Sequence, residues 1–225
     1  MNHIKHASAF VALIALPLIA AACKDKTPPP PPPGASVPAP LPTPADAASP
    51  GSFRVKFATT KGDFTVEVPR AWAPKGADRF YRLVSEGYFK DVRFFRVLPG
   101  FMAQFGMSGN PALNAKLDSL RIPDDPVAQS NKRGTLTFAT AGPNTRSHQF
   151  FINYGDNASL DLQGFSPFGK VVEGMKSVDA LYSGYGEGAP RGKGPEQGKI
   201  QAEGNAYLTK DFPKLDYIKK ATIEK

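Results

Sequence analysis

The chain has 225 residues, 28 lysines and arginines against 20 aspartates and glutamates, a net charge of +8 and a single cysteine. One cysteine excludes an intrachain disulfide, and basic side chains dispersed along the chain rather than set in a stripe exclude a specific nucleic-acid footprint. Two of the three histidines, His3 and His6, fall at the extreme amino terminus, which leaves no pair for a zinc site and only His148 for acid–base work.

At the amino terminus, Lys5 precedes an apolar run from Ala9 to Ala20, too short to span comfortably as a mature helix, which predicts a secretory signal over residues 1–22. Ala20-Ala21-Ala22-Cys23 then offers two processing readings. One is an ordinary small-x-small site that leaves a free thiol. The other resembles a bacterial lipobox and would make Cys23 a lipidated first residue, holding the protein on a membrane on the periplasmic side. Lys24, standing where an acidic residue often marks inner-membrane retention, favours the outer membrane. A tether over 23–50 follows: residues 24–50 hold eleven of the chain's 23 prolines, six of them consecutive from Pro28 to Pro33. Such a stretch builds no core, and as polyproline II it reaches roughly 80 Å at about 3.1 Å per residue. It reads as a spacer, as a ligand for proline-binding modules, or as an occupant of the protein's own active site.

Residues 51–225 are long enough for one domain that buries roughly 70% of its unfolded surface. Phe53, Val55 and Phe57 alternate with polar residues, Lys61-Gly62 turns, and Phe64, Val66 and Val68 resume the alternation, which predicts a hairpin. Pro74 opens a helix carried by Ala77, Phe80, Leu83 and Val84 and ended by Gly87, over about 74–86. Strands are predicted over 93–97, 102–105, 135–140, 149–153 and 168–172, and a short helix over 175–182. The glycine-rich run from Gly184 to Gly198 lacks the strand-loop-helix setting of a phosphate loop and reads as plain loop. Ile200 to Glu203 reads as a strand, and Leu215, Tyr217, Ile218 and Ile223 as a closing strand. Many strands and two helices imply a mainly β fold, an antiparallel barrel whose ends are plugged by helices.

Nucleophilic chemistry fares badly, because no serine sits in a G-x-S-x-G turn and His148 reads as a loop residue. Isomerisation of an X-Pro bond asks for less. Its barrier of about 18–20 kcal/mol comes from amide resonance, and a fixed cationic donor at the prolyl nitrogen would stabilise the twisted state with no covalent step and no cofactor or metal. Arg96 has that character, since guanidinium stays protonated and presents a rigid fork of N–H groups. Phe101, Met102 and Phe151 suit a wall for the pyrrolidine ring, with Gln104 and Gln149 as neutral polar contacts.

Phe95-Arg96-Val97-Leu98-Pro99-Gly100-Phe101-Met102-Ala103-Gln104 resembles the arginine-bearing signature of the cyclophilin family of peptidyl-prolyl isomerases. Ala141-Gly142-Pro143-Asn144-Thr145 with Gln149-Phe150-Phe151-Ile152 resembles its second signature, and Phe168-Gly169-Lys170-Val171 with Gly174-Met175 its third. The resemblance spans Phe53 to Ile223. It implies a closed eight-stranded antiparallel barrel capped by two α-helices. It makes Arg96 the catalytic cation, braced by Gln104, and gives the proline pocket Phe101, Met102 and Phe151, with Gln149 touching substrate. The family's substrate-binding backbone falls on Ala139-Thr140, and its far pocket wall on Leu160 and Phe165. A tryptophan common in that wall has no counterpart here, which puts inhibition by cyclosporin in doubt. The expected partners are proline-containing polypeptides of the cell envelope, met by a monomer. A cyclophilin-like module that grips such segments as a holdase, with little turnover, is the alternative.

Overall fold

The computed structural model describes residues 46–224. The signal over 1–22, Cys23 and the tether as far as residue 45 lie outside the described residues. β1 (Ser52–Thr59) and β2 (Gly62–Pro69) form the expected hairpin, with Val55 opposite Val66 and Phe57 opposite Phe64. The period of two puts Phe53, Val55, Phe57, Phe64, Val66 and Val68 on one buried face. α1 (Pro74–Ser85) begins at its proline and turns Ala77, Phe80, Leu83 and Val84 inward. The Phe80 ring stands 5.6, 5.5 and 5.1 Å from those of Phe89, Phe150 and Phe168. Burial of each such ring contributes roughly 1.5–3 kcal/mol.

The chain continues through β3 (Arg96–Leu98), β4 (Met102–Phe105), α2 (Pro111–Asp118), β5 (Thr135–Phe138), β6 (Phe150–Asn153), β7 (Pro167–Glu173), α3 (Met175–Asp179), α4 (Gln197–Glu203), α5 (Asn205–Asp211) and β8 (Ile218–Glu224). The eight strands form one sheet in the order β3-β4-β6-β5-β7-β2-β1-β8, antiparallel at every pairing.

The expected closed barrel is instead an open, curled sheet, because its edges β3 and β8 do not pair along their length. The chain beside their starts does meet. The Phe94 N–H donates to the Asp216 carbonyl and the Ile218 N–H to the Val92 carbonyl, each at 2.9 Å, around an isolated bridge between Arg93 and Tyr217. β3 is three residues long and turns back at Pro99-Gly100, so little strand is left to zip onto β8.

The described residues hold five α-helices rather than two. The stretch expected as a strand over Ile200–Glu203 is α4, and with α5 it builds a second small core. There Ile200, Tyr207 and Leu208 pack on Phe95, Met107 and Leu215. α2 is capped by Asn110, whose side-chain oxygen accepts from the Ala112 N–H at 3.0 Å.

Residues 46–49, read as the end of the tether, lie on α1. Asp46 pairs with Arg79 at 2.9 Å and Arg82 at 2.7 Å, and Ser49 donates to Asp78 Oδ1 through both its N–H and its hydroxyl at 2.8 Å. Burial works against the charge on Asp78, but hydrogen bonds from Arg70 and Ser49 hold its carboxyl below the usual range. Among the described residues, no helix is long and apolar enough to cross a membrane.

Candidate functional site

Strand register assembles the site. Arg96 of β3 lies opposite Gln104 of β4, and Gln104 lies opposite Phe151 of β6. Directly opposed residues share a face of the sheet, as do residues two apart. Arg96, Met102, Gln104, Gln149 and Phe151 therefore face one side, while Ala103, Phe105, Phe150 and Ile152 face the fully buried core.

The guanidinium Nη1 of Arg96 donates to Gln104 Oε1 at 3.1 Å and passes 3.9 Å from the Met102 sulfur. Gln104 in turn donates to Gln149 Oε1 at 3.0 Å. The Phe101 ring centroid lies 6.0 Å from Arg96 Cζ, and Phe151 meets Phe165 edge to face at 5.8 Å. The Ala139 N–H donates to the Gln149 carbonyl at 2.9 Å. The Thr140 hydroxyl is 2.7 Å from that of Thr145, which fixes the Ala139-Thr140-Ala141 rim.

Leu160 sits in a short 3-10 turn, Ala158–Gln163, and its carbonyl accepts from the Phe165 N–H at 3.2 Å. That turn is pinned by Asp161, a residue without a role in the sequence reading. Asp161 accepts from the Asn131 amide at 2.7 Å and from the Ser130 hydroxyl at 2.6 Å. Burial opposes its charge, and these bonds outweigh it, so the carboxyl titrates below its ordinary range.

All ten sequence-predicted site residues, Arg96, Phe101, Met102, Gln104, Ala139, Thr140, Gln149, Phe151, Leu160 and Phe165, line one cleft of about 760 Å³. The same cleft is walled by Asp118 and Arg121 beyond Thr140, by residues 187–191, 195 and 196 of the glycine-rich loop, and by Gln197 and Gly198 at the start of α4. That loop, read as plain, delivers Glu187 to Arg96. The Glu187 carboxylate accepts from Nε at 2.6 Å and from Nη2 at 2.7 Å. The bond to Arg96 holds the Glu187 carboxyl below the usual range.

His148 lies, as expected, in the loop between β5 and β6, and it is fully buried there. Its Nδ1 lies 3.0 Å from Ser147 Oγ and 3.5 Å from Asp118 Oδ1. Serine and carboxylate thus meet the same ring nitrogen, which is not the geometry of a nucleophilic relay. Burial lowers its pKa to about 4, against the pull of Asp118. Among the described residues no cluster of three His, Cys, Asp or Glu side chains is placed to hold a metal ion. The chemistry this cleft supports is that of a fixed cation at the edge of an apolar pocket.

The comparisons with known proteins point to one family. The family model for cyclophilin type peptidyl-prolyl cis-trans isomerase matches residues 54–201. A mouse protein, peptidyl-prolyl cis-trans isomerase-like 3, is 33% identical over 130 residues, covering 56% of this chain and 80% of that protein. A probable peptidyl-prolyl cis-trans isomerase of Brucella abortus is 36% identical over 151 residues, covering 62% of this chain and 76% of the relative. The crystal structure of a cyclophilin type isomerase from Cryptosporidium parvum superposes with a TM-score of 0.58 at 23% identity, over 77% of this chain and 98% of that one. With a family model matched over well more than half of its length, this chain belongs to the cyclophilin-type peptidyl-prolyl cis-trans isomerases.

Proposed function

We propose that the protein accelerates rotation about X-Pro bonds in exported polypeptides, with Arg96 as the catalytic cation. The observation that carries this reading is the Arg96 guanidinium, held by Gln104 at the mouth of a pocket walled by Phe101, Met102 and Phe151. The pyrrolidine ring would enter that pocket while the acyl side turns. As the amide twists, the prolyl nitrogen regains its lone pair, and an Arg96 N–H aimed there stabilises the twisted state over either planar one. No proton is transferred and no bond is broken. A barrier lower by about 7 kcal/mol speeds the rotation by roughly five orders of magnitude.

The holdase reading is less favoured, because a module that only grips proline segments has no use for a cation at the prolyl nitrogen. A cis/trans assay on a short X-Pro peptide with the full chain and its Arg96→Ala variant separates the two. Loss of at least two orders of magnitude in kcat/KM with retained peptide affinity is expected from removing a transition-state donor. Equal rates would refute the mechanism.

The place of action rests on the amino terminus. A signal over 1–22, lipid attachment at Cys23 and a proline-rich spacer would hold the domain off a membrane on the periplasmic side, the outer membrane being preferred. Mass spectrometry of the mature amino terminus tests it, and an unmodified Cys23 would sink the lipoprotein reading.

A further inference from the structure

Four side-chain torsions separate the Arg96 guanidinium from its backbone, and Gln104 holds that group by a single bond through Nη1. A single bond fixes a distance but leaves the plane free to rotate. The second anchor comes from across the cleft, 91 residues along the chain, where both oxygens of Glu187 take the Nε–Nη2 edge. A guanidinium has five N–H donors. With the Nε–Nη2 edge occupied by Glu187 and Nη1 facing Gln104 and Met102, Nη2 keeps a second N–H with no acceptor among the described residues.

The loop is built around this carboxylate. The Gly188 N–H donates to Glu187 Oε1 at 2.9 Å, so that oxygen is held from two sides. The Gly194 N–H donates to the Glu187 carbonyl at 2.8 Å, and the Ala189 N–H to the Gly194 carbonyl at 3.2 Å. A Cβ on Gly194 would stand 2.8 Å from the Glu187 carbonyl, and one on Gly192 would overlap it. The glycines therefore allow a backbone approach that fixes where the Glu187 side chain starts. Behind the loop, Tyr185 packs on the second core, which also contains Phe95, the neighbour of Arg96.

We propose that Glu187 is a positioning residue for the isomerisation: its carboxylate locks the plane of the Arg96 guanidinium so that the tip carrying Nη1 and Nη2 is aimed into the proline pocket. The proposal rests on Arg96 being the catalytic cation. Acting through Arg96 alone, Glu187 contributes to the rate of the bound complex and little to substrate affinity.

The test is the cis/trans assay, with kcat and KM resolved, on the full chain carrying Glu187→Gln, Glu187→Asp, Arg96→Lys, Arg96→Ala and the Glu187→Gln/Arg96→Lys pair. Glu187→Gln keeps the shape but opposes one N–H of the fork. It is expected to lower kcat about tenfold, the scale of a slightly misaimed catalytic group, with KM changed less than about twofold. In the Arg96→Lys background, where no fork exists, the same substitution is expected to change the rate less than about twofold. Thermal melting checks that the fold persists, and Glu187→Asp, with the charge on a shorter stem, is expected to lose rate in the same sense.

A Glu187→Gln rate equal to or above that of the unaltered protein overturns the proposal, making the carboxylate a bystander or a brake. An undiminished loss in the Arg96→Lys background overturns it too, since the effect would then not pass through the guanidinium. If Arg96→Ala keeps full activity, the catalytic reading of Arg96 falls as well. If only Glu187→Gln is silent, that reading stands and the positioning role alone is lost.

Discussion

Asn131 and Asp161 form the clasp that holds the far wall of the cleft: Asp161 Oδ1 accepts from both the backbone N–H and the side-chain amide of Asn131, at 2.9 and 2.7 Å. The same Asn131 amide donates to the Phe165 carbonyl at 2.8 Å, and its oxygen accepts from Thr137 of β5 at 2.8 Å. One fully buried side chain therefore registers the Leu160–Phe165 segment against the sheet.

Asn131→Ala is expected to destabilise the protein by roughly 3 kcal/mol, the upper range for leaving buried polar groups unpaired. It should also raise KM for an X-Pro peptide more than it lowers kcat, because Phe165 moves while Arg96 stays. Urea unfolding and the cis/trans assay check the two parts separately.

His148 makes stability depend on pH. Its folded-state pKa of about 4 lies below the ordinary 6.5, so between those values the unfolded chain binds the proton that the folded one refuses. The contribution is complete above pH 6.5 and is lost as pH falls toward 4, amounting to about 2 kcal/mol between pH 7 and pH 5. The drop in unfolding free energy over that interval should shrink by that amount in His148→Gln. An unchanged slope would assign the acid sensitivity elsewhere.

Asp46→Ala and Asp46→Asn are both expected to cost about 3 kcal/mol, because either leaves Arg79 and Arg82 close together without their shared counter-charge. Arg79 and Asp46 are each more than nine-tenths buried at their side chains, so added salt should restore little. Chemical denaturation at low and high ionic strength is the check.

Ile200→Ala should cost roughly 2–4 kcal/mol as a buried large-to-small change. Its site is fully enclosed between α4 and the Phe95 side of β3. A melting temperature unchanged within a degree would show that the second core is not part of the cooperative unit.

The sequence makes the strands around the site legible because each carries its own alternation, and β4 falls where Met102 to Phe105 predict it. The ten cleft residues come mostly from two local runs, so adjacency in the chain already groups them. Glu187 is different: nothing in a glycine-rich loop that also carries Glu196 says that the first of these carboxylates crosses to β3. Asn131 and Asp161 are hidden for the same reason, being polar residues whose partners lie 30 positions apart. α4 escaped because Ile200 is its only buried residue, and seven residues with one buried apolar side chain carry no period. Its helical pattern appears only when Tyr207 and Leu208 of α5 are counted with it against Phe95.

β4 and β6 each serve two masters by turns, one residue to the aromatic interior and the next to the cleft. Met102, Gln104, Gln149 and Phe151 stand back to back with Ala103, Phe105, Phe150 and Ile152. Ligand preference and mechanical integrity are thus written on opposite sides of the same two ribbons. A library varied at the cleft-facing positions alone should lose turnover of X-Pro peptides before it loses folded yield, whereas one varied at Ala103, Phe105, Phe150 and Ile152 should lose folded yield first.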